Sequence, residues 1–271
     1  ALTGEEIQEL AEYANLYYIE LFPGFQALGH LENFLYHPEF RDLAEFPGAN
    51  SLDLGNPRSY EVLKEWYSEI CEKFKPNHVH IELDEAYDFG VYASKEIVEK
   101  KGRPQILLEH IQWVYNLLHN KHNKEIIMYH DTVLNWGKEI LDQLPKDIKI
   151  ICWNYLALPK YPFIQEFTKR GFFVFVSPSI INWHRPFPYM KHAIKNITKI
   201  SQEGVKFGAK GFMNSIWGDF SNENLRENNY FGLAVGSDCA WNPLNFDLHE
   251  FQVAFISDFF GMHNPHLLWD T

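Results

Sequence analysis

The stretch His78-Val79-His80-Ile81-Glu82-Leu83-Asp84-Glu85 reads as a buried strand that ends in two adjacent carboxylates. An apolar run followed by Asp-Glu and a loop fits a parallel α/β enzyme, which keeps acid and base groups at the carboxyl ends of its strands. Successive strand side chains alternate faces, so Asp84 is expected to share a face with Glu82 and His80. A buried Glu beneath Asp84 needs a partner, and a Glu82–His80 or Glu82–Asp131 network is expected under the site. Two carboxyls this close do not both ionise easily. One is expected to hold its proton, which suits protonation of a leaving-group oxygen.

The strand-then-helix alternation extends to both sides. Strands are expected at residues 17–22 (YYIELF), 78–83, 125–129, 148–153, 172–176 and 210–216. Helices are expected at Pro57–Phe74, capped by Asn56, and at 104–118, 136–143, 161–169, 190–203 and 247–260. Continuous apolar strands alternating with amphipathic helices mean a parallel sheet covered by helices. The expected fold class is therefore α/β, of the (β/α)8 TIM-barrel type, with about six βα units visible. The expected organisation is one domain over residues 1–271, a length that suits a barrel of about 250 residues. Thr3 and Glu6 form a capping box, so the chain opens at a helix start with no initiator Met. It reads as incomplete at its N-terminus, with a further segment upstream completing the barrel.

Composition narrows the function. A net charge of −12 without a basic run argues against nucleic acid or an anionic membrane surface as partner. Three scattered cysteines give neither a disulfide framework nor zinc spacing, so a reducing, cytoplasmic setting is expected. No Gly-x-Gly-x-x-Gly or P-loop follows a strand, and no cofactor is expected. Aromatics reach 16%, which serves a large core and an aromatic sugar cleft equally well.

All six expected strand ends carry polar or aromatic groups: residues 26–30, Asp84-Glu85, His130-Asp131, Trp153-Asn154, residues 177–183 and Trp217-Gly218-Asp219. That asymmetry favours an enzyme with one cleft. His30 falls at the first of these ends. Trp153, Trp183 and Trp217, at three separate ends, suggest an aromatic box for a sugar ring. His78-x-His80 could suggest a metal-dependent hydrolase. The pair lies at the start and middle of its strand, however, so packed or surface histidines are expected and no catalytic metal.

On these residues the chain resembles glycoside hydrolase family 20, the β-N-acetylhexosaminidases. The family signature His-x-Gly-Gly-Asp-Glu stands here as His80-Ile81-Glu82-Leu83-Asp84-Glu85, with both glycines replaced. Ile19-Glu20-Leu21-Phe22-Pro23 with Gly29-His30 resembles the family's third strand. Met128-Tyr129-His130-Asp131 resembles its fifth, Ile151-Cys152-Trp153 its sixth, and residues 214–219 its eighth. The stretch 37–45 (HPEFRDLAE) looks like a divergent branch. The family's first two strands, and the Arg that grips sugar hydroxyls, have no counterpart.

The resemblance implies an exo-acting, retaining glycosidase for a terminal N-acetylhexosamine, in which the substrate's own 2-acetamido oxygen attacks the anomeric carbon. Glu85 would be the general acid and then the base, and Asp84 would orient the acetamido group. Trp153, Trp217 and Trp183 would wall the sugar, with Tyr129 and Asp219 in further substrate-binding positions. His30 and Asp131 would support the acid pair. A sugar-binding barrel without turnover, and a glycosidase for sugars lacking the acetamido group, remain open alternatives.

Overall fold

The computed structural model describes residues 2–219 and 224–262. The chain divides into two compact units, one running to Ile150 with Arg170–Phe172, the other comprising Ile151–Lys169 and the chain from Phe173 onward.

The first unit opens with α1 (Gly4–Asn15). The expected capping box is present: the Thr3 hydroxyl accepts from Glu6 N–H, and the Glu6 carboxylate accepts from Thr3 N–H. After the short α2 (Glu32–Leu35) comes α3 (Pro57–Phe74), with Asn56 as N-cap and Pro57 in its first turn. Strand β1 (His78–His80) is followed by α4 (Lys95–Lys101), α5 (Arg103–Tyr115), β2 (Glu125–Tyr129) and α6 (Asp131–Trp136). The strands β1 and β2 pair in parallel, His78 opposite Glu125 and His80 opposite Ile127. Val79, Ile81, Leu63, Tyr67, Leu107, Ile111 and Met128 form a core with almost no exposed surface.

Two strand expectations change in this unit. Residues 17–22 do not pair: Tyr18 is fully exposed and left-handed at φ 59°. The pairing lies further on, where Pro23 carbonyl accepts from His80 N–H (2.9 Å), Phe25 N–H donates to His80 carbonyl (2.9 Å) and Ala27 N–H to Ile81 carbonyl (3.1 Å). Two buried rings fix that segment. Tyr67 donates its hydroxyl to Phe25 carbonyl (2.7 Å), and His110 donates Nε2–H to Ala27 carbonyl (3.0 Å). Burial drives His110 down to about 4, so it serves as a neutral donor. An apolar run alone does not say which of its neighbours will find partners. The second change is that β1 ends at His80, three residues before the expected end.

Strand β3 (Lys149–Trp153) runs from the first unit into the second. The second unit continues with α7 (Pro162–Thr168), β4 (Phe173–Ser177), α8 (Met190–Phe207), β5 (Gly211–Phe212), α9 (Tyr230–Trp241) and α10 (Leu248–Phe260), whose N-cap is Asp247. Strands β4 and β5 are parallel, Phe175 opposite Gly211. A Cβ on Gly211 would lie 2.1 Å from the Phe175 ring, so only glycine fits there. Helix α8 buries Ala193, Ile197 and Ile200 beside the fully buried Asn196. The Asn196 amide donates to the carbonyls of Asn154 (2.8 Å) and Leu156 (3.0 Å), and its oxygen accepts from Ser179 N–H (3.2 Å). Asn196, which opens an Asn-Ile-Thr glycosylation sequon, is thus committed to packing. The expected helix at 136–143 is instead α6, displaced towards the N-terminus, followed by a 3-10 turn at Lys138–Ile140. All three cysteines are buried and free. Among the described residues no helix is long and apolar enough to cross a membrane.

One buried acid organises the loop that follows the carboxylate pair. Glu45, fully buried, accepts from Gly90 N–H (2.9 Å), Tyr92 N–H (3.1 Å), Ser94 N–H (3.2 Å) and the Ser94 hydroxyl. Removing it strands several buried donors at roughly 1–3 kcal/mol each. Glu45→Ala is expected to lower the free energy of unfolding by about 3 kcal/mol or more, and Glu45→Gln by less, as read by urea denaturation. Equal stability of the alanine variant and the wild type would remove this loop anchor.

Candidate active site

Beyond β1 the backbone keeps its pairing with β2 but leaves extended geometry. Ile81 N–H donates to Ile127 carbonyl (2.8 Å) and Tyr129 N–H to Glu82 carbonyl (2.8 Å). Yet Glu82, Leu83 and Glu85 are left-handed, at φ 58°, 67° and 47°. Simple strand alternation therefore does not carry through to Asp84, contrary to expectation. Left-handed geometry costs a non-glycine residue roughly 1–2 kcal/mol, so the surroundings must impose it. They do so visibly. Glu82 N–H donates to His80 Nδ1 (2.8 Å), Leu83 is fully buried, and Glu85 N–H donates to Asp131 Oδ2 (2.9 Å). Asn50 Nδ2 holds the Glu85 carbonyl at 3.1 Å.

The residues from the first strand end meet this turn directly. A Cβ on Gly29 would lie 2.5 Å from Asp84 carbonyl, so a glycine there lets the two backbones touch. Next to it, His30 is itself left-handed (φ 49°) and aims Nε2 at both acids, 3.2 Å from Glu85 Oε2 and 3.6 Å from Asp84 Oδ2. Gln26 Nε2 donates to Asp84 Oδ1 at 2.7 Å, and the Tyr87 hydroxyl donates to Glu85 Oε1 at 2.7 Å.

These contacts separate the two acids electrostatically. Burial raises the Asp84 carboxyl, offset by the Gln26 hydrogen bond and by His30. Glu85 is lowered, first by its hydrogen bond with His30 and then, against burial, by Tyr87. His30 rises to about 9, chiefly through its Glu85 hydrogen bond, with Asp84, Glu85 and Glu32 adding attraction. Near neutral pH the substrate-free site thus holds an imidazolium against an ionised Glu85. Burial thus makes Asp84 the harder of the two to ionise, whereas the proton was expected on the acid that serves the leaving group, and Glu85 is instead lowered.

Beneath them, Glu82 and His80 form the expected buried pair, His80 Nδ1 lying 3.5 Å from Glu82 Oε1. Burial, helped by Asp84, pushes Glu82 up to about 8, while burial drives His80 down to about 3. Tyr129 also hydrogen-bonds Glu82, and its ring centroid is 4.5 Å from that of His80. Tyr129 therefore sits below the acid pair. Asp131 accepts from Glu85 N–H. The two histidines of His78-x-His80 diverge: His78 Nδ1 contacts Glu20 Oε1 (2.9 Å), while His80 is buried.

In the second unit the three expected tryptophans converge on Tyr155, which was not singled out from the sequence. Its ring centroid is 5.0 Å from Trp153 and 5.4 Å from Trp183, and its hydroxyl accepts from Trp217 Nε1 at 2.7 Å. Asn182 Oδ1 fixes the Trp217 N–H (3.0 Å). Asp219 is exposed, next to residues 220–223, which lie outside those described. Gln26, Asn50 and Tyr87 were also unassigned from sequence. Gln26, within the first polar strand end, and Tyr87, two residues beyond Glu85, carried a positional hint.

The His30–Glu85 pair has a defined pH window. His30 rises above its ordinary 6.5, so its contribution to stability is full below that value and lost as pH climbs through about 9. Glu85 falls below its ordinary 4.5, so its share is present above that value and lost on acidification. The stability gap between wild type and His30→Gln should be widest between these limits and close towards alkaline pH. Denaturation at several pH values, with NMR titration of His30, checks this. An imidazole titrating at its ordinary value would refute it.

Comparison with known proteins bears on the same residues. The description "Glycosyl hydrolase family 20, catalytic domain" matches residues 1–196. A beta-hexosaminidase of Emericella nidulans is 31% identical over 140 residues, which is 48% of this chain and 22% of that protein. Beta-hexosaminidase subunit A2 of Dictyostelium discoideum is 33% identical over 89 residues, 31% of this chain and 16% of that one. The alignments thus span less than a quarter of either relative. Among solved structures, a Flavobacterium johnsoniae chitobiase superposes with TM-score 0.73 at 17% identity, over 98% of this chain and 42% of that one. A Bacteroides fragilis β-N-acetylhexosaminidase gives TM-score 0.74 at 17% identity, over 97% and 56%. Those likenesses give the fold class, an α/β fold of the (β/α)8 barrel type. With residues 1–196 matched, the chain belongs to glycosyl hydrolase family 20, through its catalytic domain.

Proposed function

We propose that this chain carries the acid–base centre of an exo-acting, retaining β-N-acetylhexosaminidase. The observation that carries the reading is the division of labour within the acid pair: Asp84 is the less exposed and is held by Gln26, while Glu85 is half-exposed and coupled to a cationic His30. Membership of the family, and beta-hexosaminidase relatives, support it.

In this mechanism the substrate's acetamido oxygen forms a bond to the anomeric carbon as the glycosidic C–O bond breaks. Glu85 delivers its proton to the departing oxygen. Asp84 accepts the acetamido N–H and stabilises the positive charge on the oxazolinium-like intermediate. Glu85 then takes a proton from water as that water attacks the anomeric carbon, which restores the acid and retains configuration. Glu85 is ionised in the substrate-free site, so it needs a proton source. The His30 imidazolium, 3.2 Å from Oε2, is placed to be that source. The substrate's own nucleophile explains why no third carboxylate is needed to form a glycosyl–enzyme bond. In the second unit, the rings gathered on Tyr155 offer apolar faces of the kind that pack against a pyranose.

The test is release of nitrophenol from an aryl β-N-acetylglucosaminide. Glu85→Gln is expected to lose about 10²–10⁴ in kcat/KM, the usual range for a lost general acid. Asp84→Asn should lose activity with folding intact, and a thiazoline analogue of the intermediate should inhibit. Persistent activity in Asp84→Ala would sink the acetamido mechanism. Sugar binding without any release would leave a carbohydrate-binding barrel, and turnover of plain glucosides would point to a sugar lacking the acetamido group.

A further inference from the structure

Glu85 has a separate protein donor for each carboxylate oxygen: His30 faces Oε2, and the Tyr87 hydroxyl donates to Oε1 at 2.7 Å. The proposed mechanism has no use for Tyr87. Tyr87 is 59% exposed, yet its surroundings are fixed. Ala86 and Phe89 on either side are buried, Asp88 Oδ2 accepts from Asn50 N–H (2.7 Å), and Gly90 N–H is held by Glu45 (2.9 Å). A pinned loop thus projects one aromatic ring over the more exposed acid. Val91 and Tyr92, later in the same loop, are also exposed.

A general acid must come within about 2.6–3.2 Å of the oxygen it protonates. Oε2 faces the imidazole that supplies the proton, so the leaving-group oxygen must approach Oε1. The Tyr87 hydroxyl now sits at that distance. We propose that Tyr87 is a specificity-determining residue on the leaving-group side, its hydroxyl holding the place of the glycosidic oxygen until a substrate displaces it. The ring then stacks on a second pyranose as the aglycon. An exposed side chain changes rotamer fast enough for such an exchange on every turnover. The proposal rests on the hexosaminidase reading and deepens it, because it names a β-linked sugar as the preferred leaving group.

Steady-state kinetics on two substrates test it: the β-linked N-acetylglucosamine disaccharide and methyl β-N-acetylglucosaminide. Tyr87→Ala should raise KM for the disaccharide about tenfold, the scale of one lost ring contact. KM for the methyl glycoside should stay within about twofold, and Tyr87→Phe, which keeps the ring, should resemble the wild type with the disaccharide. Equal effects of Tyr87→Ala on both substrates, no effect on either, or a phenylalanine variant as impaired as the alanine one would overturn the proposal. An exposed ring should leave the thermal melt unchanged, and Tyr87→Leu replaces alanine if it does not. A wild-type chain that cleaves neither substrate, or a Glu85→Gln chain as active as the wild type, would overturn the hexosaminidase reading and this proposal with it. That outcome is distinct from failure of the Tyr87 variants in an active enzyme.

Discussion

Two neighbouring residues on an extended strand point to opposite faces, so adjacent carboxylates reach one site only if the backbone turns between them. Here that turn is left-handed at Glu82, Leu83 and Glu85, and most of the first unit's polar contacts near the site serve to hold it. The segment at Pro23–Ala27 pairs with one side of β1, β2 pairs with the other, and Asp131 and Asn50 fix Glu85 by its own peptide groups. Gly29 allows His30 to close over the result. Remove the turn and the same side chains would be divided between the two faces of a sheet.

The electrostatics follow from that geometry. Glu82, Asp84 and Glu85 lie within one short segment, with His30 as the cation directly facing the last two. Their surroundings then separate them. Glu82, raised by burial and by Asp84, stays largely protonated near neutrality at about 8. Asp84 is raised by burial but steadied by Gln26, and Glu85 is ionised by its contact with the imidazolium. Three carboxyls in one place are tolerable because they do not carry three charges. Divergence of this kind between neighbouring titratable groups is what acid–base chemistry uses.

The sequence disclosed elements whose signals are local. The Thr3–Glu6 box, the Asn56 cap, the start of the last helix, and strands β2, β3 and β4 lie within a residue or two of their expected places. The acid pair and Asp131 were legible because they follow apolar strands, and His30 because it follows an apolar run that does not itself pair. What escaped depends on distant partners. Residues 17–22 look like a strand, yet Tyr67 and His110, far along the chain, bind the carbonyls of the segment after them. Gln26, Tyr87 and Tyr155 are ordinary residues until folding sets them beside Asp84, Glu85 and three tryptophans. A left-handed turn written with Glu and Leu carries no mark of its own, since its usual mark is glycine.

That last point bears on the replaced glycines. Glycine reaches positive φ freely, whereas Leu83 and Glu82 each incur roughly 1–2 kcal/mol for the same geometry. For Leu83 the balance is favourable, because complete burial of a leucine contributes about 1.5–3 kcal/mol. For Glu82 it is not, because its acid is also buried, and the rise to about 8 marks the cost of ionising it there. The compensation comes from specific partners: His80 takes its N–H, Tyr129 N–H meets its carbonyl, and its side chain rests on His80 and Tyr129. Gly24 provides the room, since a Cβ there would lie 2.1 Å from Glu82 Oε1. The conformation that glycine makes easy is thus imposed by packing at one position and by hydrogen bonds at the other. Glu82 and Leu83 therefore hold the turn before the acid pair without glycine, and Glu82 adds a titratable group to the floor beneath it.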